Sequence, residues 1–434
     1  MPSRASNPDV VVVGAGIAGA SIAAVLARGG VEVLLLERQC GYRDRVRGEY
    51  MAPWGVLEAR ALGLEDVIRS TQAVDARYGV PYDELAAPSI AEEAKSDRST
   101  IFPDIRGPLC ASHPKTCQAL AEDAVRSGAE LIAGVTEIHV QAAKRPSITF
   151  HNGTRQEVRP RLIVGADGRA STVRKQSGIY LNKAPATHVI AGLLAEGASR
   201  WPDDLFAIGV ERDLQFYVFP QGGGRVRLYT CHANEQTARW AGRTGAQRFV
   251  ETFANLRSVP ESLGLGDIRP AGPCGTFGGE QTWCDEPYAD GVVLLGDAGG
   301  YDDPVDGQGL SLALRDVGQL SGLLLTSGDW TAAALRQYGE QRAERLRRMR
   351  RVSKTFAALM TTFTDAGRAR RGRYYAASKA GHEDVRMALG AIFLGPDRMP
   401  SEAFTDKLHE SLLASLGSVA LVSVADGLVW VYWV

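Results

Sequence analysis

The sequence predicts an α/β fold: a Rossmann-like layer of parallel strands and helices, an antiparallel sheet inserted into it, and a helical C-terminal region. Three observations carry that expectation. Asp9 to Val13 and Val31 to Leu36 are short apolar runs that bracket Ala-rich Ile17 to Arg28, which reads as strand, helix and strand joined by a parallel crossover. After Ile179 the chain breaks into short strand-like runs. From Leu310 onward it is mostly helical in pattern.

Bulk properties exclude several classes. A chain of 434 residues can bury one large core or two modest ones. Its 45% hydrophobic and 23% charged content is that of a globular protein, and a formal net charge of −1 gives no reason to expect a nucleic-acid partner. Met1 to Asp9 has no apolar core of signal-peptide length, so a cytoplasmic protein is expected. Cys110 and Cys117 flank His113, but no C-x-x-C pair occurs, and unrelated thiols are expected rather than a metal site. The segment Leu412 to Val434 is apolar and ends Trp430-Val-Tyr-Trp-Val434. It nearly reaches the ~20 residues that span a bilayer. Asp426 interrupts it and no basic cluster follows, so docking on the body is expected, with membrane or partner contact as the alternative.

The remaining elements follow in order. Arg47 to Leu64 is helical in its second part, where Trp54, Leu57, Ala61 and Leu64 fall at helical spacing. Asp83 to Thr100 is charged and weakly patterned and is expected to be exposed. His113 to Arg126 reads as helix. Glu130 to Ala142, Ser147 to Asn152 with an Asn152-Gly153 turn, and Arg161 to Val164 read as strands. Val189 to Glu196, Phe206 to Val210, Gln215 to Pro220 and Arg225 to Cys231 form the inserted sheet, with Gly222-Gly223-Gly224 as a hairpin. Val292 to Leu295 returns to the buried-strand type. The Arg-rich stretch Arg342 to Arg351 is expected to be a solvated helix face. The expected division is a Rossmann-like layer in parts 1–78, 106–180 and 274–350, an inserted sheet domain 181–273, a segment 79–105 that is either part of that sheet domain or an exposed insertion, and a helical region 351–434 with the apolar tail.

Four segments carry the chemistry. Gly14-Ala15-Gly16-Ile17-Ala18-Gly19 lies between strand and helix, where glycines permit the turn, the approach of a pyrophosphate and close packing. The helix start offers free N–H groups and a positive dipole end. Glu37, with Arg38 beside it, lies about 20 residues on, where an acid accepts hydrogen bonds from a ribose. Gly165-Ala166-Asp167-Gly168 stands mid-chain. Gly296-Asp297-Ala298 follows a strand, with Asp297 placed for a ribityl hydroxyl, and Gly307-Gln308-Gly309 opens a helix at Leu310. The first motif does not separate NAD from FAD; all four in this order indicate non-covalent FAD.

These segments, together with FYVFPQGGGRVRLY, resemble the class A flavoprotein monooxygenases of the para-hydroxybenzoate hydroxylase type over almost the whole chain. The resemblance implies NAD(P)H as electron donor, dioxygen as co-substrate and a small-molecule substrate. It implies contact of Asp167-Gly168 with both FAD and NAD(P)H, and of Arg47 with FAD. Glu49 is read either as a flavin contact or as a surface or cap residue. Asp303-Pro304 matches the Pro beside the flavin ring where oxygen reacts. The substrate is expected between that edge and the inserted sheet, against Tyr217, Phe219 and Tyr229, and largely apolar. His188 and His232 are expected as ordinary sheet packing. Two departures are Gly299-Gly300 in place of the usual Ala-His, and Leu310-Ser311 where an Asn often stands. The competing expectations are a reductase of a prenyl or lipid-like substrate, a halogenase, whose Trp-x-Trp-x-Ile-Pro segment is missing here, and a non-catalytic redox sensor.

Overall fold

The computed structural model describes residues 8–415. Five segments rich in apolar or β-branched residues, Val10–Val13, Val33–Glu37, Glu130–Ala133, Leu162–Gly165 and Val292–Leu294, form a parallel sheet. Tyr288–Ala289 adds an antiparallel edge. The strand order places Val10–Val13 between Leu162–Gly165 and Val33–Glu37. The chain therefore winds outward in both directions from this strand, which leaves a crevice at its C-terminal end. Helices Ile17–Arg28, His113–Arg126 and Gly309–Thr326 cover one face and bury the Val- and Leu-rich strands against Leu26, Leu120 and Leu320.

The inserted sheet is built on Val189–Glu196, Arg225–His232, Leu214–Pro220 and Leu205–Glu211, paired antiparallel in that order. Its last strand pairs in parallel with Tyr78–Asp83, and Ser96–Asp97 closes the edge. One face packs on Trp240, Phe249 and Phe253 around helix Gly245–Ala254. The other face carries Ile190, Phe206, Tyr217 and Phe219 and meets the C-terminal helices Ala332–Met360, Asp365–Lys379 and Glu383–Leu389.

Three expectations need correction. Glu130 to Ala142 is two strands in different sheets, not one, because Gly134 takes φ +76° and turns the chain. Asp83 to Thr100 is not uniformly exposed: Asp83 and Arg98 are buried, and Arg371 Nε donates to Asp83 Oδ2 at 2.6 Å. Arg342 to Arg351 is not a solvated face, since Arg342 and Arg345 are among the most buried side chains of the protein. The apolar tail from 416 to 434 lies outside the described residues. Among the described residues no helix is long and apolar enough to cross a membrane.

Candidate active site

A cavity of about 950 Å3 opens at the C-terminal end of the parallel sheet and runs beneath the inserted sheet. Its outer part is lined by Gly14, Gly16, Ile17, Ala18, Glu37 and Arg38. Two helix N-termini face it, those of Ile17–Arg28 and Gly309–Thr326, and neither carries an acid in its first turn. A Cβ added at Gly16 or at Gly309 would meet nothing within 4 Å. Both positions therefore leave room for a ligand to approach backbone N–H groups at the positive end of a helix dipole. Gly19 serves another purpose: its Cβ would fall 1.8 Å from the Gly14 carbonyl oxygen, so it allows helix to pack on turn.

The outer cavity offers partners for the polar groups of FAD. Glu37 Oε2 accepts from Ala15 N at 2.7 Å and Oε1 from Gln39 N at 2.8 Å, which fixes the carboxylate beside the glycine turn with lone pairs to spare for ribose hydroxyls. Asp297 lines the cavity and accepts from Arg169 Nε at 3.4 Å. Arg169 stacks over Tyr301, 4.0 Å from the ring centroid. Arg47 also lines the cavity; its pKa is lowered by burial and then by the Arg169 charge. These cations make the outer cavity suited to an anionic group. The residues present thus fit a dinucleotide with a pyrophosphate and two polyol arms.

Other expected contacts fall differently. Asp167 lines the cavity, but its oxygens accept from Ser171 Oγ at 2.6 Å and Thr172 N at 2.6 Å, which caps the helix Thr172–Gln176. Gly296, Gln308 and Asp303 do not line the cavity; Leu310, Gly307 and Pro304 do. Gln308 Oε1 accepts from Trp54 Nε1 at 2.8 Å, and its Nε2 donates to the Asp306 carbonyl at 2.7 Å, so it braces the turn from behind. Asp303 lies 3.2 Å from His188 Nε2 and accepts from Val305 N. His188 and His232 are buried away from the cavity.

Glu49 is neither surface nor cap. It is buried in the cavity wall, where Arg227 Nη2 donates to Oε1 at 2.6 Å and Tyr229 Oη donates to Oε2 at 3.2 Å.

The loop Gly296–Gly300 is held by residues that the sequence reading missed. Arg342 donates to the carbonyls of Gly296 at 2.7 Å, Gly299 at 2.8 Å and Gly300 at 3.0 Å. Arg174 donates to the Ala298 carbonyl at 2.9 Å. Asp316 accepts from Arg342 Nε at 2.7 Å and Arg345 Nη2 at 2.5 Å, and also from Gly296 N. Burial opposes the Asp316 charge, but the two guanidinium groups overcome it and hold its pKa below the usual carboxylate range. The signal was present in the sequence: Arg342 and Arg345 share a helical face with Met349, Val352 and Phe356, and such a face is buried.

The inner cavity is apolar. Tyr217, Phe219 and Tyr229 line it, with Ile190, Phe206 and Ile208 from the same sheet. Tyr217 and Phe219 stack with centroids 5.6 Å apart, and the Tyr217 hydroxyl donates to the Val305 carbonyl. The C-terminal helices also close it, through Phe356, Met360, Tyr374, Tyr375, Leu389 and Ile392.

His113 lies against Gly48 on the cavity wall. Burial, and then the Arg47 charge, lower its pKa from 6.5 to about 4. The folded state thus binds fewer protons than the unfolded chain in that interval. The stability His113 contributes is complete above pH 6.5 and is lost as pH falls to about 4. Urea denaturation across this range should show falling stability, with a shallower fall in His113→Gln; an unchanged pH dependence in that variant would remove His113 as the cause.

The profile of the family described as "FAD binding domain" matches residues 7–353. Squalene monooxygenase of Rattus norvegicus is 24% identical over 343 residues, which cover 73% of this chain and 54% of that protein. The chain thus spans about half the length of that curated relative. Digeranylgeranylglycerophospholipid reductase of Methanosarcina acetivorans is 25% identical over 374 residues, 77% of this chain and 80% of the relative. The crystal structure of p-nitrophenol 4-monooxygenase from Pseudomonas putida superposes with a TM-score of 0.71 at 19% identity, covering 95% of this chain and 98% of that one. This last likeness shows a shared fold.

Proposed function

The chain belongs to the FAD-binding domain family, and on that premise we propose that it is an FAD-dependent monooxygenase acting on a largely apolar, aromatic or polycyclic small molecule. The observation that carries the reading is one continuous cavity: an outer part lined by the glycine turn and faced by two helix N-termini leads into an inner part walled by aromatic side chains. Bound FAD would supply the redox chemistry, taking hydride from NAD(P)H and passing electrons to dioxygen.

The protein's own residues do the rest. Gly16 and Gly309 give the cofactor's anionic parts access to backbone N–H groups. Glu37 and Asp297 would hold the two polyol arms, with Arg47 and Arg169 beside the latter. Arg342 and Arg174 fix the loop that bears Asp297, so its carboxylate needs little reorganisation on binding. Pro304 and Val305 place the cavity wall where the two chambers meet. Phe206, Tyr217, Phe219 and Tyr375 keep water from the reacting atoms and offer ring faces and edges to a flat substrate.

Oxygen uptake and NAD(P)H oxidation, followed together with fused-ring phenols as substrates, should give one dioxygen per NAD(P)H and a product. The match to the Methanosarcina acetivorans reductase over most of both chains favours a second reading, saturation of a C=C bond in a lipid-like substrate. That reading requires product formation without oxygen uptake.

Narrowing the inner chamber gives a separate expectation. Ile208 is only part-buried on the cavity wall, so Ile208→Trp should raise substrate KM about tenfold or more and leave FAD affinity within twofold. Normal KM for every accepted substrate would move the substrate site elsewhere.

A further inference from the structure

Beside Pro304 and Val305, Asp302 and Asp306 line the cavity and are joined by one hydroxyl. Ser353 Oγ lies 2.7 Å from Asp302 Oδ2, 2.7 Å from Asp306 Oδ2 and 2.9 Å from the Met349 carbonyl. Ser353 is fully buried, and both aspartates are more than nine-tenths buried. A serine hydroxyl has one proton. With both carboxyls ionised, three acceptors would surround that proton and only one could receive it. A second proton, on one carboxyl, lets that carboxyl donate to Oγ while Oγ–H donates onward.

The two carboxyls are not equivalent. Asp302 Oδ1 accepts from Gln281 Nε2 at 2.8 Å and Asp303 N at 2.9 Å; burial pushes this carboxyl up to about 7, with the Ser353 hydrogen bond and the Arg350 charge working against the rise. Asp306 Oδ1 is buried with no hydrogen-bond partner. Asp303, Tyr50 and Tyr217 are also titratable neighbours of Asp306, and none of these three brings a positive charge; a cation beside that group is Arg98, which faces Tyr50. Burial, followed by the Asp302 charge, raises Asp306 well above the carboxylate range.

We propose that Asp306 is a neutral carboxylic acid, held in that form by Ser353 and Asp302, and that it is the proton donor to the oxygen atom discarded in the reaction. This rests on the monooxygenase reading. One atom of dioxygen enters the substrate and the other becomes water. Hydride from NAD(P)H supplies two electrons, and one further proton is required per turnover. Among the aromatic side chains of the inner cavity, a donor in the wall can supply that proton. The Asp306 O–H turns from Ser353 Oγ toward the cavity and breaks, its electron pair stays on the carboxylate, and a new O–H bond forms on the departing oxygen. Ser353 then turns its proton toward Asp306 until water, admitted on product release, reprotonates the carboxyl.

Infrared spectroscopy of the FAD-loaded protein with 13C-labelled aspartate tests the protonation without turnover. At neutral pH a carboxylic C=O band that shifts in D2O is expected, and Asp306→Asn should remove it. Ser353→Ala should move the band rather than abolish it, since Asp306 loses the oxygen that accepts its proton; this variant also serves if Asp306→Asn fails to fold. In turnover, Asp306→Asn should bind FAD and accept hydride normally, form product at least tenfold more slowly, and release hydrogen peroxide in its place. No carboxylic band in the wild type overturns the protonation. A band with undiminished product formation in Asp306→Asn overturns the donor role. A wild type that reduces substrates without oxygen uptake fells the monooxygenase reading and the donor role with it. A missing band with normal oxygenation fells this proposal alone.

Discussion

Arg342→Ala should destabilise the protein by about 3–5 kcal/mol and release FAD, because it removes one partner from a buried ion pair and strips donors from three carbonyls at once. Asp316 would be left in the interior with Arg345 as its remaining guanidinium partner. The carbonyls of Gly296, Gly299 and Gly300 would lose their shared donor, and the loop that carries Asp297 would lose its anchor. Arg342→Lys keeps a charge but not the planar fork, so it should recover part of the stability and little of the loop geometry. Urea denaturation with FAD retention on gel filtration reads both effects. Full retention of FAD by Arg342→Ala would mean that the loop is shaped by its own sequence.

The second large effect is expected at Gly16, where binding and folding can be separated. Gly16 has φ −73° and open space where a Cβ would stand, so valine fits the apoprotein. Its side chain would occupy the approach to the helix N-terminus. Losing two charge-assisted hydrogen bonds to a pyrophosphate, at about 1.5–3 kcal/mol each, should weaken FAD binding ~100-fold or more. The cost in stability should stay near that of an altered N-cap, about 1 kcal/mol. Gly14→Ala is the contrasting case. Its φ is +99° and a Cβ would come within 2.6 Å of the Ala166 carbonyl oxygen, so both stability and binding should fall. Tight FAD binding by Gly16→Val would place the pyrophosphate away from this turn.

What was legible in the sequence was local. Ile17–Arg28 and His113–Arg126 begin and end where composition and spacing predict, and the buried strands around Val10–Val13 announce themselves as unbroken apolar runs. The glycine turn, Glu37 and Asp297 are local too, since their chemistry depends on what stands beside them in the chain. What escaped was set by contacts between distant segments. A charged stretch such as Asp83 to Thr100 reads as exposed unless Arg371, almost three hundred residues away, is known to meet Asp83. The Arg-rich helix reads as solvated by charge and as buried by period; the carbonyls of the Gly296–Gly300 loop decide between them. The closing of the inner chamber by Phe356, Met360 and Tyr375 could not be read from any motif, because nothing local shows on which face of the sheet the C-terminal helices settle.

The most direct measurement is mass spectrometry of the product formed from an accepted aromatic substrate under 18O-labelled dioxygen, with FAD and NAD(P)H present. One labelled oxygen atom in the product, with the second recovered in water, is the expected result. A product that gains two hydrogens and no label would contradict it and assign the cavity to a reductase.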